Sequence, residues 1–583
     1  DNPVDSAAIS PDGKYLAYSD TTGLYLKLLQ TGETHAWPLP KGFSAHIDSW
    51  FPDSAHVLVD HVETAAVQPS LWSASVLGGE PRKLADDAQA GVVSPDGSYI
   101  AFIRVPPVRG EIWVMRSDGE EQVKVVPYAP EDWLGRITWS PDGRNIAYIR
   151  RHVAGAFEYR TSIEVSEWRS ERRNTLLSQE DLGSALCWLP DGRLVYTRAE
   201  SATNQRDSNA WVVRVDKEGR TSGSSLRLTR GIGLIAGITA TADGGMLVFG
   251  RTQGQSRTAV GTLSPDGSRL LAVRPLTLDE NQNQPFAWTP DSKSVVLSSD
   301  RNGTFSIFKQ AIDQPLPELL ATGSDRKLIP RLTPDGSEVV YLSLPGSTHV
   351  NAFSAIAAVP LQGGASHIIV RGPKISTLPG PGPRLGNVEC ARLPSTVCVY
   401  DIQDGDQITF FQLHVKSRAS SELSRIDTGG SILNWGSVDR ELSRIDTGGR
   451  IINWGLSPDG SKLATILHTP TTDSIQIHSL ASGETHDVTV KGWSGLWCVD
   501  WAADGNSLYV TTAKSTYAPV ATTGLRSLYP QSSLLRVALD GSASLLREGE
   551  SGQIMYAIPS PDGHLLAIRE DVAATNVWAI ENF

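Results

Sequence analysis

The stretch "AISPDGKYLAYSD" at residues 8–20 decides the fold, because altered copies of it return about every fifty residues to the end of the chain. The turn SPDG occurs at 10–13, 94–97, 140–143, 457–460 and 560–563. Related turns are FPDS 51–54, LPDG 189–192, TADG 241–244, TPDS 289–292, TPDG 333–336, LPST 393–396 and AADG 502–505. The chain therefore carries twelve copies of one structural repeat.

Each copy is typical of a tight turn between two strands. Proline presets the second turn position, aspartate bonds to the backbone two residues on, and glycine accepts a positive φ. The run after the turn, such as "NIAYIR" within 136–150, is apolar on both faces, as expected for a strand between neighbouring sheets. Two more strands follow, and a further SPDG at 264–267 falls between the third and fourth strands. Each repeat predicts one four-stranded antiparallel blade of an all-β propeller.

Twelve blades exceed one ring, since propellers typically close with four to eight. We predict tandem propellers, with a first ring of about six blades at 1–282 and a second at 283–583. The Pro/Gly-rich segment 372–387 is the alternative linker, which divides the blades eight plus four. The last blade lacks a fourth strand, and residues around 1–6 or an upstream segment are expected to supply it. The chain termini then share one ring.

A tandem duplication interrupts the repeat. "ELSRIDTGGSILNWG" at 422–436 returns almost unchanged at 441–455. The second copy runs into SPDG 457–460 and is expected to form an inner strand, whereas the first is expected to be partly an extra loop or an edge strand.

Composition describes a folded protein, with 40% hydrophobic and 20% charged residues. The net charge of −12 argues against nucleic-acid binding by this chain. No apolar run is long enough to span a bilayer, so membrane attachment is expected only through a segment outside this chain. The start at Asp1, without Met or leader, suggests a mature form or a fragment.

Four cysteines do not make a disulfide scaffold. Cys390 and Cys398 flank a predicted hairpin near Pro394, and we expect two buried thiols there, with a disulfide as the alternative.

The repeats resemble the PD40 (TolB-like) β-propeller family, as in "WSPDGRNIAYIR" (139–150) and "SSDRNGTFSIFKQ" (298–310). The opening "NPVDSAAISPDGKYLAYSD" and the ending "NVWAIENF" are similar to the C-terminal propeller region of bacterial membrane-bound regulators. In those proteins a Ser/Thr kinase or winged-helix domain and one membrane helix come first. The resemblance implies a sensor or interaction module outside the cytoplasm, and it carries over no catalytic residue.

No linear catalytic motif is present: GxSxG, HExxH, a P-loop and GxGxxG between strand and helix are all missing from the sequence. Two clusters have metal-binding residue types, and for both we favour ordinary blade-surface or turn residues. The first comprises His46, Asp48, His56, Asp60 and His61, and the second Asp401, Asp404 and Asp406. We therefore predict no metal and no cofactor.

The chain has sixteen tryptophans. Four of them lie just before the repeated turn and are predicted to pack as wedges between blades: Trp50, Trp139, Trp188 and Trp288. Trp493 and Trp497 are placed less regularly and are the first aromatic candidates for ligand contact.

These patterns favour a non-enzymatic tandem propeller that binds a protein, peptide or cell-envelope ligand. It would be the extracytoplasmic or periplasmic arm of a bacterial signalling protein, with ligand-binding residues still unassigned. The rivals are a polysaccharide lyase or hydrolase with a funnel active site, and a free periplasmic scaffold of TolB type. Five long excursions are the candidate binding loops: 153–175, 199–210, 343–353, 372–387 and 513–532.

Overall fold

The computed structural model describes residues 4–583 with gaps. The gaps are 21, 39, 41–42, 44, 63–68, 106–109, 130–131, 154–158, 171, 180, 202–203, 217–218, 232, 346–352, 375–382, 405–406, 428–449, 469–472, 514–531 and 550–552. The described residues form strands and turns without a helix, and none of them could therefore cross a membrane as a helix. The chain forms two compact units, of which the second begins at Gln255 and gives way to the first again at Ala573. The predicted boundary at 282/283 thus differs from the division of the structure.

Unit 1 contains five complete four-stranded blades, each with its strands in sequence order. Their strands are β1 (Ser6–Ile9), β2 (Tyr15–Ser19), β3 (Leu24–Leu28), β4 (Thr34–Ala36), β5 (Ala45–Trp50), β6 (His56–Val62), β7 (Pro69–Ser75), β8 (Arg82–Asp86), β9 (Ala88–Val93), β10 (Tyr99–Arg104), β11 (Glu111–Arg116), β12 (Val123–Val126), β13 (Asp132–Trp139), β14 (Asn145–Val153), β15 (Tyr159–Glu167), β16 (Arg173–Ser178), β17 (Leu182–Trp188), β18 (Arg193–Ser201), β19 (Asn204–Val215) and β20 (Thr221–Arg227). The next strands are β21 (Leu234–Ala240) and the long β22 (Met246–Leu263).

Unit 2 also contains five complete blades. After β23 (Leu270–Pro275) come β24 (Asn283–Trp288), β25 (Ser294–Ser299), β26 (Ser306–Ala311), β27 (Glu318–Ala321), β28 (Arg326–Leu332), β29 (Glu338–Leu344), β30 (Phe353–Pro360), β31 (His367–Lys374), β32 (Arg384–Cys390), β33 (Cys398–Asp404), β34 (Gln407–His414), β35 (Ala419–Asp427), β36 (Arg450–Leu456), β37 (Lys462–His468), β38 (Asp473–Ser479), β39 (Thr485–Val488), β40 (Leu496–Trp501), β41 (Ser507–Ala513), β42 (Ser532–Ala538) and β43 (Ala543–Glu548). The last strands are β44 (Gln553–Pro559) and the long β45 (Leu565–Glu581).

The first strand of each blade packs against the first strands of both neighbours, so each unit closes into a ring of six blades. In unit 1 the order is β1, β5, β9, β13, β17 and β21, and in unit 2 it is β24, β28, β32, β36, β40 and β44. All six residues of β24 and all seven of β44 are buried, as expected for strands at the centre of a propeller. The predicted class, an all-β chain of about twelve blades in two rings, is confirmed.

The sixth blade of each ring is built from two separate parts of the chain. Strand β22 pairs with β21 through residues up to Thr252, and its last residues pair with β23. Strand β45 lies between β22 and β44 in the same sheet. The blade begun by β44 therefore receives its outer strands from β22 and β23, and not from residues 1–6 as predicted.

Buried charges fix the pairing of β22 with β45 within unit 2. Arg569 donates two hydrogen bonds of 3.0 Å to Asp571, which also accepts from the Ser256 hydroxyl. Arg257 lies 2.6 Å from the carboxylate of Glu570, which is 5% exposed. Paired and hydrogen-bonded charges tolerate burial, so these side chains hold one specific register.

The repeated turns have the predicted internal bonds. In the first copy Gly13 has a φ of 72°, and its N–H donates to the Ser10 carbonyl at 2.9 Å. The Asp12 carboxylate accepts from the Ser10 hydroxyl at 2.7 Å and from the Lys14 N–H at 3.1 Å. The extra SPDG at 264–267 connects β22 to β23, which confirms its position between a third and a fourth strand.

The wedge role of the tryptophans is confirmed for three of the four predicted positions. Indole N–H groups donate to a carbonyl of the preceding blade, from Trp50 to Ala8 at 2.9 Å and from Trp288 to Ile558 at 3.0 Å. Trp139 does the same towards the preceding blade. Trp188 is partly buried, and its indole nitrogen has no partner among the described residues.

Two local predictions have clear outcomes. Cys390 and Cys398 form a disulfide, so the expectation of two thiols is wrong. The physical reason is register, because the two residues are direct partners across β32 and β33 with Cα atoms 4.0 Å apart. In the duplication, the second copy forms the inner strand β36 as predicted, and the start of the first copy lies in the edge strand β35; residues 428–449 lie outside the described residues.

Candidate interaction surface

The five His and Asp candidates of the first predicted metal cluster do not converge. They are His46, Asp48, His56, Asp60 and His61, on β5 and β6. Asp48 accepts the backbone N–H of Gly91 at 3.0 Å, and the ring of His61 stacks on Phe43 with centroids 4.3 Å apart. Asp48, Asp60 and His61 are buried, so their interpretation as blade-surface residues is wrong. In the described part of the chain, no three His, Cys, Asp or Glu side chains are arranged to hold a metal ion.

The second cluster includes a structural aspartate. Asp401 is fully buried, and its carboxylate accepts from the Trp454 indole at 3.0 Å and from the Gln403 amide at 2.8 Å. Asp404 ends β33 and pairs with Gln407 across a hairpin, in agreement with the predicted turn. Asp406 lies outside the described residues.

The two less regular tryptophans contact the cores of unit 2. Trp493 and Trp497 are both partly buried and pack against apolar clusters. The indole nitrogen of Trp497 is buried without a hydrogen-bond partner among the described residues. Both are thus largely packing residues.

Four successive blades of unit 1 carry an arginine at one shared position of the second strand. Each arginine follows an aromatic residue by two places, in "FIR", "YIR", "YTR" and "FGR". Second strands run in the same direction around a closed ring, so these arginines lie toward one end of unit 1, opposite the repeated turns. We call this set the arginine arc, and it comprises Arg104, Arg150, Arg198 and Arg251.

The third strand places a large side chain beside most of these positions. We call the third-strand residue opposite the aromatic second-strand residue the stacking position; Trp113 faces Phe102 there, and Trp211 faces Tyr196. The guanidinium of Arg104 lies 4.2 Å from the Trp113 ring centroid. A guanidinium stacked on an indole is attracted by the ring quadrupole. Because the guanidinium is planar and rigid, the arginine side chain loses little conformational entropy in this contact.

The other blades of unit 1 vary the same arrangement. The stacking position holds Tyr25 in the first blade, Trp72 in the second and Glu164 in the fourth. The ammonium of Lys83 lies 5.3 Å from the Trp72 ring centroid. In the closing blade, the third strand carries Trp578, whose side chain is 54% exposed. Half-buried aromatic residues therefore recur around one ring.

Carboxylates bind two of the four arginines of the arc. Arg198 donates to Asp181 at 2.9 and 2.7 Å. Arg150 binds the carboxylate of Asp132 and lies 3.2 Å from that of Glu164. Arg104 instead binds the amide oxygen of Gln122, so its charge is not neutralised by a carboxylate among the described residues. Arg104 therefore differs from Arg150 and Arg198, which are paired with carboxylates.

Two pKa shifts reflect the packing of this surface. Burial alone would raise the pKa of Glu111, but hydrogen bonds from the Lys124 ammonium at 2.7 Å and the Trp113 indole at 2.9 Å lower it overall. Burial lowers the pKa of Arg251, against the charge of Asp207. Both shifts show that charged groups beside the arc are partly removed from water.

Unit 2 has a different polar cluster, on its inner strands. The Arg331 guanidinium on β28 lies 2.6 Å from the Glu389 carboxylate on β32 and also donates to the Phe286 carbonyl on β24. Burial, followed by the charge of Glu389, raises the pKa of Asp500 to about 7, against Arg331 and Arg392. The pKa of this carboxyl group is thus raised towards neutrality, and its charged neighbours lie on inner strands except for Arg392, which follows β32.

The comparisons with known proteins agree with the fold. Residues 108–367, just under half of the chain, match the PD40 family model described as "TolB beta propeller domain". A protein of Agrobacterium fabrum (strain C58 / ATCC 33970) called "Uncharacterized protein Atu1656" is 27% identical over 191 residues. This match covers 31% of the chain, and the chain spans 57% of that relative.

Solved structures of propeller proteins are also similar to this chain, at low identity. TolB from Acinetobacter baumannii is 12% identical with a TM-score of 0.20, over 73% of this chain and 79% of that one. The tricorn protease is 10% identical with a TM-score of 0.30, over 100% of this chain and 63% of that one. The assignment of two six-bladed rings rests on the strand pairing described above.

The sequence contains a signal for the arginine arc that the repeat analysis did not use. The pattern aromatic–x–Arg recurs at the end of the second run in four repeats of unit 1, and in none of the complete blades of unit 2. The five predicted binding loops add no site residues, because each of them includes residues outside the described ranges.

Proposed function

We propose that this chain is a non-catalytic interaction module that binds a protein, peptide or cell-envelope ligand through the arginine arc of unit 1. The observation that carries the proposal is the repeated pairing of arginine with half-buried tryptophan, as in Arg104 on Trp113 and Arg198 on Trp211. Tryptophan, tyrosine and arginine are the residue types that contribute most to binding at protein interfaces. A rigid ring of strands holds them in place, which reduces the entropy lost on binding.

We further propose that the chain functions outside the cytoplasm, as the ligand-binding arm of a bacterial signalling protein. The Cys390–Cys398 disulfide supports an oxidising compartment, where such bonds persist. The partial match to the TolB propeller domain also supports this location. Attachment to the membrane would then depend on a segment outside this chain.

The test begins with the whole chain immobilised against detergent-solubilised envelope and soluble fractions of the source bacterium. A partner found this way is purified, and its affinity is measured against wild type and Arg104→Ala. Hot-spot residues weaken binding about thirtyfold when truncated to alanine, and we expect that loss for Arg104→Ala.

The matched control is Arg144→Ala, at a repeated turn on the opposite end of unit 1, where the side chain is 78% exposed. It should bind as wild type does. Equal affinity of wild type, Arg104→Ala and Arg198→Ala for the purified partner would contradict the assignment of the arc. Turnover of a cell-envelope polysaccharide by the purified chain would instead support the lyase or hydrolase alternative.

A further inference from the structure

A cavity of about 480 Å³ lies on one face of the blade β28–β31 in unit 2. Its lining includes Lys327, Tyr341, Ala355, Ala357, His367 and Arg371. The volume lies within the range of small-molecule sites, which extends from about 300 to 1,000 Å³. The cavity also touches Thr322, which follows β27 of the preceding blade.

The cavity exists because the stacking position of this blade is an alanine. Ala357 faces Tyr341 as Trp113 faces Phe102 in unit 1 and as Phe308 faces Leu297 in the neighbouring blade. Ala355, two residues earlier on β30, lines the same face. Several other blades place an aromatic ring at the stacking position, whereas the present blade has only the methyl group of Ala357 there.

Cationic side chains border the open space. Lys327 is the register partner of Ser343, Ser343 of Ala355, and Ala355 of Arg371. Directly opposed residues of antiparallel strands project to the same face, so these four form one row across the blade. Lys327 and Arg371 lie at the two ends of the row, and the small residues Ser343 and Ala355 lie between them. Both cationic side chains therefore line the same cavity.

Lys327 is buried, with 6% of its surface exposed, and its ammonium donates to the Asp325 carbonyl at 3.1 Å. An ammonium group has three N–H donors, so two remain for a ligand. Burial lowers the pKa of Lys327, against the charge of Asp325. Burial of a lysine is costly without a charged partner, and an anion in the cavity would offset that cost.

The remaining charges leave the cavity cationic. The Asp325 carboxylate accepts a hydrogen bond from the Ser343 hydroxyl at 3.3 Å. With Lys327 and Arg371, the lining carries two formal positive charges and one negative charge. His367 also lines the cavity, and its ring lies 3.9 Å from the carboxylate of Glu338, a residue that is not part of the lining. Tyr341 and Ile368 supply apolar surface beside the two alanines.

We propose that this cavity binds a small planar organic anion, a compound with an aromatic ring and a carboxylate. The ring occupies the space above Ala355 and Ala357 that an aromatic side chain occupies in other blades. The carboxylate accepts hydrogen bonds from the Lys327 ammonium and the Arg371 guanidinium. Both a free aromatic acid and a peptide that ends in an aromatic residue carry this chemistry.

The test is isothermal titration of the whole chain with indole-3-carboxylate, and separately with indole, acetate and glycyl-tryptophan. We expect the aromatic acid to bind more tightly than indole or acetate alone. Lys327→Met should weaken it about ten- to hundredfold, as loss of a charge-assisted hydrogen bond predicts. Lys293→Met, at an exposed turn of the neighbouring blade, should leave the affinity unchanged.

Ala357→Trp provides the second variant, since it places in this blade the residue type found at Trp113 and Trp211 of unit 1 and should abolish binding. Binding of glycyl-tryptophan in preference to indole-3-carboxylate would identify a peptide terminus as the source of the anion. If wild type binds neither acid at millimolar concentration, or if Lys327→Met binds both as wild type does, the proposal is wrong. That second criterion holds even if Ala357→Trp does not fold.

Discussion

The tryptophan wedges allow a prediction in which one hydrogen bond is isolated. Trp139 is 4% exposed, and its indole N–H donates to the Val92 carbonyl of the preceding blade at 2.9 Å. Trp188 stands at the same position of the next blade, but its indole nitrogen has no partner among the described residues. Replacement of either by phenylalanine keeps most of the apolar ring and removes the N–H.

The two replacements should therefore differ in cost. Trp139→Phe loses a hydrogen bond between two blades, which costs about 1 kcal/mol more than the ring change alone. Trp188→Phe removes a donor that was unsatisfied, so it should have little effect beyond the ring change. For a unit of this size, each kcal/mol lowers the melting temperature by about 2 to 4 °C.

Differential scanning calorimetry of both variants beside wild type measures this difference directly. Both residues lie in unit 1, so the same unfolding transition reports on them. A lower melting temperature for Trp139→Phe than for Trp188→Phe is the expected result. Equal shifts in melting temperature, or a larger shift for Trp188→Phe, would show that the hydrogen bond between the Trp139 indole and the Val92 carbonyl does not stabilise the unit.

Two further predictions concern unit 2. Since the pKa of Asp500 is raised from 3.8 to about 7 on folding, its favourable contribution is present below pH 3.8 and is lost as pH rises through 7. The melting temperature of Asp500→Asn minus that of wild type should therefore increase as pH rises from 4 to 8. A difference in melting temperature that stays constant over this range would contradict the prediction. The Cys390–Cys398 disulfide predicts two reactive thiols in denaturant without reductant and four with it, and its loss should cost about 2 to 3 kcal/mol in chemical denaturation. Four thiols without reductant would exclude the bond.

The repeat determined most of the fold because the turn is a local device. Proline, aspartate and glycine specify the chain reversal at each copy without help from distant residues, and the flanking apolar runs require a neighbouring sheet on each side. Twelve copies therefore predict twelve blades and two rings. The disulfide was missed for a related reason, since pairing of Cys390 with Cys398 depends on an exact register that spacing alone leaves open.

The closing blades were not predictable in the same way. Residues 257–263 follow the TADG repeat and have the pattern of its own third strand, yet they complete a blade begun by β44, more than 290 positions later. The choice between these partners depends on tertiary contacts such as the bonds of Arg569 and Ser256 with Asp571. Neither hydrophobic periodicity nor turn chemistry contains that information.

The candidate sites follow from departures within a uniform repeat. In each blade the first two strands must fit the ring because they are buried between neighbouring sheets, whereas the stacking position on the third strand is freer to change. Two blades of unit 1 have Trp113 and Trp211 at that position beside an arginine, and one blade of unit 2 has Ala357 there beside Lys327. The same scaffold thus presents a stacked, prefilled surface in one ring and an open cationic cavity in the other. The comparison of equivalent blades, more than any single motif, is what separates residues that build the ring from residues available to bind.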